Sequence, residues 1–267
     1  MSKEDYEYRG LIAQAWDLLR GDTSDWGDRT FYRDIIRASG QPALDIGCGT
    51  GRLLLDYLTD GIDTDGVDVS PEMLEICRQK AQKLDLHPTL YQQHMEAFDL
   101  PRSYLTIIVP SSSFQLITHP QDAAEAMQRF WRHLEPEGTL VMPFMIPWDG
   151  QATKPIVAVD WEVVAEQVRP EDGLLIRRWT RATYDLVQQL EHTEDRYDVI
   201  REGQIIDTEH HSRSPASRWH TPAQAIKLYE DAGFTTIRIL KEFTQEVASP
   251  SDPVAKDTVF SVLGQRP

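Results

Sequence analysis

The sequence predicts an α/β fold, a doubly wound, mostly parallel sheet that carries an inserted antiparallel β-meander. Three observations predict it. Between residues 43 and 144 short apolar strands alternate with helical stretches, a spacing that calls for crossover connections and therefore a parallel sheet. A glycine-rich turn, Gly47-Cys48-Gly49-Thr50-Gly51, falls where the first strand passes into a helix. After Pro147 the period changes, and residues 156–213 hold four strand-like stretches with no convincing helix.

The elements follow in order. Leu11, Ile12, Ala15, Trp16 and Leu19 recur at helical spacing within residues 8–20, and Phe31, Tyr32, Ile35 and Ile36 do the same within 29–38. Residues 43–46 form an apolar strand, and 52–58 a leucine-rich helix. Residues 64–69 form a second strand that ends at Ser70-Pro71-Glu72, an N-cap, a first-position proline and a first-turn acid. The helix so started runs toward Leu84. Strands at 89–92, 105–109 and 139–144 follow, with a helix at 122–134. The meander comprises 156–168, 174–184, 188–200 and 205–212, with hairpin-type turns at Glu171-Asp172-Gly173 and Glu202-Gly203-Gln204. Thr221-Pro222 opens a last helix that closes at Gly233, and strands at 235–240 and 258–263 end the chain across a loop at 248–253. The predicted organisation is an N-terminal helical cover (1–40), a ligand-binding domain in two pieces (41–147 and 221–267) and an inserted β region (148–220) serving substrate, lid or dimer contact.

Composition narrows the function. The chain has 267 residues, 40% hydrophobic, with a formal net charge of −16, so nucleic acid is not an expected partner and a small-molecule substrate is. The acidic start does not read as a signal peptide, no apolar run reaches membrane-spanning length, and Cys48 and Cys77 form no disulfide framework. A cytoplasmic protein without membrane or metal is the expectation.

Glycines at a strand-to-helix turn let backbone approach a ligand closely and tolerate positive φ. The nicotinamide-dinucleotide fingerprint needs a sixth-position glycine, and Arg52 stands there, so that match fails. Asp68 ends the second strand, where a carboxylate can accept hydrogen bonds from ribose hydroxyls. The pair describes a nucleoside-containing ligand at the carboxyl ends of parallel strands.

LDIGCGTGR (44–52), GVDVSPEMLEICRQKA (66–81), HMEAFDLPRSYLTIIVPSSSFQLI (94–117) and LEPEGTLVMPF (134–144) together resemble class I S-adenosylmethionine-dependent methyltransferases over roughly residues 30–145. The resemblance implies a seven-stranded Rossmann-like sheet with its last strand antiparallel, and S-adenosylmethionine as cofactor. It places Asp45, Gly47, Cys48, Gly49 and Gly51 against the methionine end of the cofactor and Asp68 on its ribose. Val69 borders the adenine, and Met73, Pro110 and Ser111 are further cofactor-binding candidates; the serines after the fourth strand could border the transferred methyl or equally cap backbone groups of the loop. Where relatives carry an acid for the adenine amino group this chain has His94, followed by Met95, a candidate for packing on the adenine face, and Glu96, which is left open as the substitute acid. Trp16 and Tyr32 are candidate covers of the cofactor.

The Asn/Asp-Pro-Pro-aromatic motif of amino-directed DNA methyltransferases is absent after the fourth strand, where Pro110-Ser111-Ser112-Ser113 stands instead. His119, His220 and Tyr184 are the candidate general bases, needed for a hydroxyl or carbon acceptor and less so for a neutral amine. The resulting expectation is transfer of methyl to a small-molecule N, O or C acceptor by in-line displacement, with a homodimer possible. Its rivals are a methyltransferase for protein or RNA and a non-catalytic cofactor-binding regulator.

Overall fold

The computed structural model describes residues 8–147, 155–249 and 258–267. Residues 1–7, 148–154 and 250–257, which include the acidic start, the approach to the meander and part of the 248–253 loop, lie outside the described residues. In chain order the elements are α1 (Gly10–Arg20), α2 (Gly27–Ser39), β1 (Ala43–Ile46), α3 (Leu54–Thr59), β2 (Thr64–Asp68), α4 (Pro71–Lys83), β3 (Leu90–Gln92) and β4 (Tyr104–Ile108). A 3₁₀ turn at Ser113–Leu116 precedes α5 (Pro120–His133) and β5 (Leu134–Ile146). Then come β6 (Ile156–Val168), β7 (Leu175–Asp185), β8 (Leu190–Arg201), β9 (Gln204–Arg218), α6 (Pro222–Ala232), β10 (Thr235–Lys241) and β11 (Thr258–Gln265).

Seven strands form one sheet in the order β10-β11-β5-β4-β1-β2-β3, and β11 alone runs against its neighbours. The parallel central strands are apolar on both faces, with Ala43, Leu44, Ile46, Ile107, Ile108, Leu140 and Val141 all buried, as a sheet covered by helices on two sides requires. The predicted caps are present: Ser70 Oγ accepts from Met73 N–H at 3.1 Å, and Thr221 and Gln224 form a reciprocal capping box.

The other four strands form a separate antiparallel sheet in the order β6-β7-β8-β9. The chain divides into two compact units, residues 1–25 with 152–218 and residues 26–151 with 219–267. The segment read from sequence as a single forty-residue helical cover is thus shared between them. In the first unit α1 buries Leu11, Ile12 and Ala15 with Leu174, Ile176, Tyr197 and Val199. In the second, α2 buries Phe31, Tyr32, Ile35 and Ile36 with Ala43, Tyr57, Ile108 and Val141.

Two strands are longer than their patterns suggest. Strand β5 begins at Leu134 and passes through an irregularity in its pairing with β4, with Glu137 at a φ of 65°. Strand β9 runs on to Arg218, which pairs with Leu190. Leu134-Glu-Pro-Glu-Gly and Ser214-Pro215 carry turn-type residues, so only the presence of a partner strand reveals them as extended. No helix among the described residues is long and apolar enough to cross a membrane.

Candidate functional site

The glycine turn leaves β1 at Ile46, with Gly47, Gly49 and Gly51 at φ values of 73°, 54° and 81°, a region that L side chains enter at a cost of about 1–2 kcal/mol. The Gly47 and Cys48 N–H groups both donate to Val67 O, at 2.8 and 3.1 Å, which ties the turn to β2. Gly49 N–H donates to Asp68 Oδ2 at 2.8 Å, and Ser70 N–H to Asp68 Oδ1 at 2.8 Å. Asp68 therefore does more than end a strand, because it sets the turn's position with one oxygen and the start of α4 with the other. Its burial pushes the carboxyl pKa up, while the Ser70 and Gly49 amides pull it back.

The three glycines have different duties. A Cβ on Gly49 would meet nothing within 4 Å, so this residue faces open space. A Cβ on Gly51 would lie 2.5 Å from Cys77 Sγ and 2.9 Å from Leu55. Gly51 is therefore a glycine that lets α4 and α3 close on the turn. A Cβ on Gly47 would come 2.9 Å from Ser113 Oγ, which brings the loop after β4 onto the turn.

Cys48 and Met73 also turn their side chains into the protein. The Cys48 side chain belongs to a core cluster with Leu54, Leu55, Leu74, Cys77 and Ala81, and burial pushes its thiol pKa well up. Met73 is 2% exposed with its amide held by Ser70. Val69 is half-buried directly beside Asp68. His94 and Glu96 sit together in the loop after β3, His94 Nδ1 3.3 Å from Glu96 Oε1, with Met95 half-buried between them in sequence.

A buried ionisable cluster, absent as a whole from the sequence reading, underlies the turn. The Arg52 guanidinium forks onto Asp28, with Nη1 3.0 Å from Oδ1, and lies over the Trp26 ring at 5.1 Å. Asp45 is 1% exposed and its Oδ1 has no hydrogen-bond partner; Tyr32 is fully buried and its hydroxyl has none either. Burial pushes the Asp45 carboxyl up to about 7, with Arg52 opposing and Asp68 and Asp28 adding. Burial likewise raises the Tyr32 hydroxyl, and the Asp28 and Asp45 charges add to it. An unmatched buried acceptor coupled to an unmatched buried donor suits the amino-acid end of a ligand, and Asp68 at the strand end suits its nucleoside end. The sequence gives no signal for Asp28, and it marks Arg52 only as the residue that ends the glycine motif.

The Asp45 shift has a definite sign. A carboxyl whose pKa rises on folding takes up a proton as the chain folds, so its contribution lowers stability progressively as pH climbs from about 4 to about 7. Asp45→Asn removes that slope. Denaturation midpoints of the wild type are expected to fall relative to the variant across this window, and parallel pH profiles would refute the assignment.

The three candidate bases separate. His119 is exposed and caps α5, its Nδ1 accepting from Gln121 N–H at 3.3 Å, which gives it a structural task. Tyr184 lies within β7 of the four-stranded unit, and Trp16 packs in that same unit edge-on to Tyr8 at 4.8 Å under the Arg20 guanidinium. Neither belongs to the unit that holds the turn. His220 does: it is 8% exposed, 6.1 Å from the Phe114 ring and 5.8 Å from the Phe144 ring, at the carboxyl ends of β4 and β5. Pro110 is buried and Ser111 exposed, and Ser111 and Ser112 both adopt a φ of 56°. Two adjacent non-glycine residues in this region mark stored strain in the loop that approaches the glycine turn through Ser113.

Comparison with known proteins agrees with this geometry. Residues 43–138 match the family described as the methyltransferase domain. A dTDP-3-amino-3,4,6-trideoxy-alpha-D-glucopyranose N,N-dimethyltransferase from Streptomyces venezuelae is 30% identical over 139 residues, 49% of this chain and 57% of that protein. A dTDP-3-amino-3,6-dideoxy-alpha-D-glucopyranose N,N-dimethyltransferase from Streptomyces fradiae is 29% identical over 53% of this chain and 55% of its own length. The chain thus spans a little over half the length of these curated relatives. Among solved structures, an S-adenosylmethionine-dependent methyltransferase from Clostridium acetobutylicum superposes with a TM-score of 0.72 at 16% identity, covering 95% of this chain and 97% of that one. A sugar N-methyltransferase from Streptoalloteichus gives 0.69 at 20% identity, covering 98% and 94%. At these identities the structural likeness is one of fold.

Proposed function

We propose that this chain is a class I S-adenosylmethionine-dependent methyltransferase and that it methylates the nitrogen of a small amine. Bound S-adenosylmethionine supplies an electrophilic methyl on a sulfonium leaving group. The protein's task is then to hold donor and acceptor in line, since orientation accounts for much of the rate in such a displacement. Asp68 and Val69 are assigned to the nucleoside, and Asp45, Tyr32 and the backbone at Gly47–Gly49 to the amino-acid end.

One observation carries the choice of acceptor atom. Residues 109–118, 139–147 and 219–222 surround the carboxyl ends of β4 and β5, and His220 is their only titratable side chain. Hydroxyl and carbon acids need a base in the transition state, whereas a neutral amine attacks with its own lone pair and sheds its proton afterwards. A ring nitrogen of His220 is the group proposed to take that proton. The dTDP-amino-sugar specificity in the names of the two relatives makes a nucleotide-linked amino sugar the acceptor to try first.

The test is incubation with S-adenosylmethionine and a panel of amino sugars, simple amines, phenols and hydroxy acids, read by mass spectrometry. Amines gain one or two methyl groups; transfer to oxygen with the amines unchanged overturns the reading. Because the proton leaves after methyl transfer, His220→Ala lowers kcat for an amine by less than about 10-fold with cofactor affinity intact, and a larger loss points to a base in the transition state.

A second copy of the chain is the partner proposed for the four-stranded unit. Its outer strands β6 and β9 are 13 and 15 residues long and expose Val163, Val164, Val168, Ile205 and Ile206, and long apolar strand edges attract further strands. Light scattering is expected to return twice the chain mass of 30.6 kDa; a monomer at micromolar concentration refutes it.

A further inference from the structure

Strands β4 and β5 run side by side as far as Val109, whose N–H donates to Val141 O at 3.1 Å. There the chain turns away through Pro110–Ser113, while β5 continues to Ile146. Gln115 takes up both backbone groups of Met145 on that continuing strand. Its side-chain carbonyl accepts from Met145 N–H at 2.7 Å, and its amide nitrogen donates to Met145 O at 2.9 Å. A primary amide carries the same donor and acceptor as a peptide group, so this side chain supplies one more rung of the ladder after the strand itself has left.

The loop so gripped is under strain and in contact with the donor turn. Ser111 and Ser112 are both left-handed at 56°, and Ser113 packs so closely on Gly47 that no Cβ would fit between them. Within the loop, Ser113 N–H and Oγ–H donate to Pro110 O at 3.0 and 2.7 Å, and Gln115 N–H donates to Ser112 O at 2.9 Å. These local bonds shape the turn, but they do not anchor it to the sheet. Among the described residues Gln115 is 4% exposed and joins the end of the loop to β5, while Ser113 joins its start to Gly47.

We infer that Gln115 is a positioning residue for methyl transfer, the latch that holds the strained Ser111–Ser112 turn between the donor turn and the His220 edge. The inference rests on the functional reading above. It assigns Gln115 no contact with either substrate. It acts through the serines, whose left-handed backbone would relax toward ordinary φ if the loop came off β5.

The test uses the full chain with Gln115→Leu, which keeps the volume and removes both hydrogen bonds. Amide exchange at Ser113 and Gln115 is expected to quicken about 10- to 100-fold. The kcat for an amine acceptor falls by a similar factor, about 10- to 100-fold, as the loop loses its place, while the dissociation constant for S-adenosylmethionine stays within about threefold. Adding Ser111→Gly and Ser112→Gly to that variant restores part of the loss, because glycine holds the left-handed conformation without strain. Unchanged exchange in Gln115→Leu, or a loss that the glycines do not relieve, overturns the inference. If the leucine variant does not fold, Gln115→Met decides, since it keeps the unbranched chain and loses both hydrogen bonds, and exchange equal to wild type there overturns the latch. Should the wild type methylate no amine, the functional reading fails, and amide exchange still decides on the latch.

Discussion

Replacing Asp68 with alanine is expected to raise the dissociation constant for S-adenosylmethionine at least about a hundredfold, and calorimetry measures it directly. The size follows from what the carboxylate does. Its two oxygens hold Gly49 N–H and Ser70 N–H, both at 2.8 Å. Hydrogen bonds to a charged group contribute about 1.5–3 kcal/mol each, and a buried donor left alone costs about as much again. The turn would lose one of its ties to β2, those from Gly47 and Cys48 to Val67 remaining, and the ribose assigned to Asp68 would lose its acceptor. Part of the loss will appear as reduced stability, because Ser70 opens α4. Asp68→Asn separates the two effects: it retains one acceptor oxygen and most of the packing. An alanine variant that binds the cofactor as the wild type does would end the ribose assignment.

Gly49→Val is the second large effect, and it should fall on binding rather than on folding. A Cβ there meets no protein atom within 4 Å, so the added side chain projects into the space assigned to the ligand. Backbone strain at a φ of 54° costs about 1–3 kcal/mol, a tolerable loss for a domain of this size. Binding of S-adenosylmethionine is expected to become undetectable while the chain still unfolds cooperatively. Gly51→Ala should do the opposite. Its Cβ would lie 2.5 Å from Cys77 Sγ, so packing breaks first and the melting temperature drops. A Gly49→Val protein with normal affinity would show that no ligand approaches this turn closely.

That two glycines two residues apart behave so differently shows where legibility stops. The motif from Gly47 to Gly51 and the acid at 68 identify the kind of site, because turn chemistry and spacing are local and written in order along the chain. The same letters do not say which glycine faces ligand and which faces a helix. Cys48 and Met73 fall inside the motif segments, yet their side chains go to the core. Arg52 looked informative only as a missing glycine, whereas its partner Asp28 lies 24 residues away on α2. Gln115 has no signature at all, since any glutamine in a loop after a strand looks the same until β5 is beside it.

By itself the sequence determined the alternation of strands and helices, the caps at Ser70-Pro71 and Thr221-Pro222, the change of period after Pro147, and the position of the glycine turn. Each of these depends on hydrogen bonds or side-chain spacing within a few residues. Tertiary structure alone decided that α1 and α2 belong to different units, that β5 and β9 extend through turn-like residues, and that His220 is buried beside Phe114 and Phe144 in the unit of the turn, whereas His119 caps α5 and Tyr184 belongs to the other unit. Those outcomes depend on which surfaces are buried against each other across tens to hundreds of residues. Burial and pairing are properties of neighbours in space, and a linear pattern does not record them.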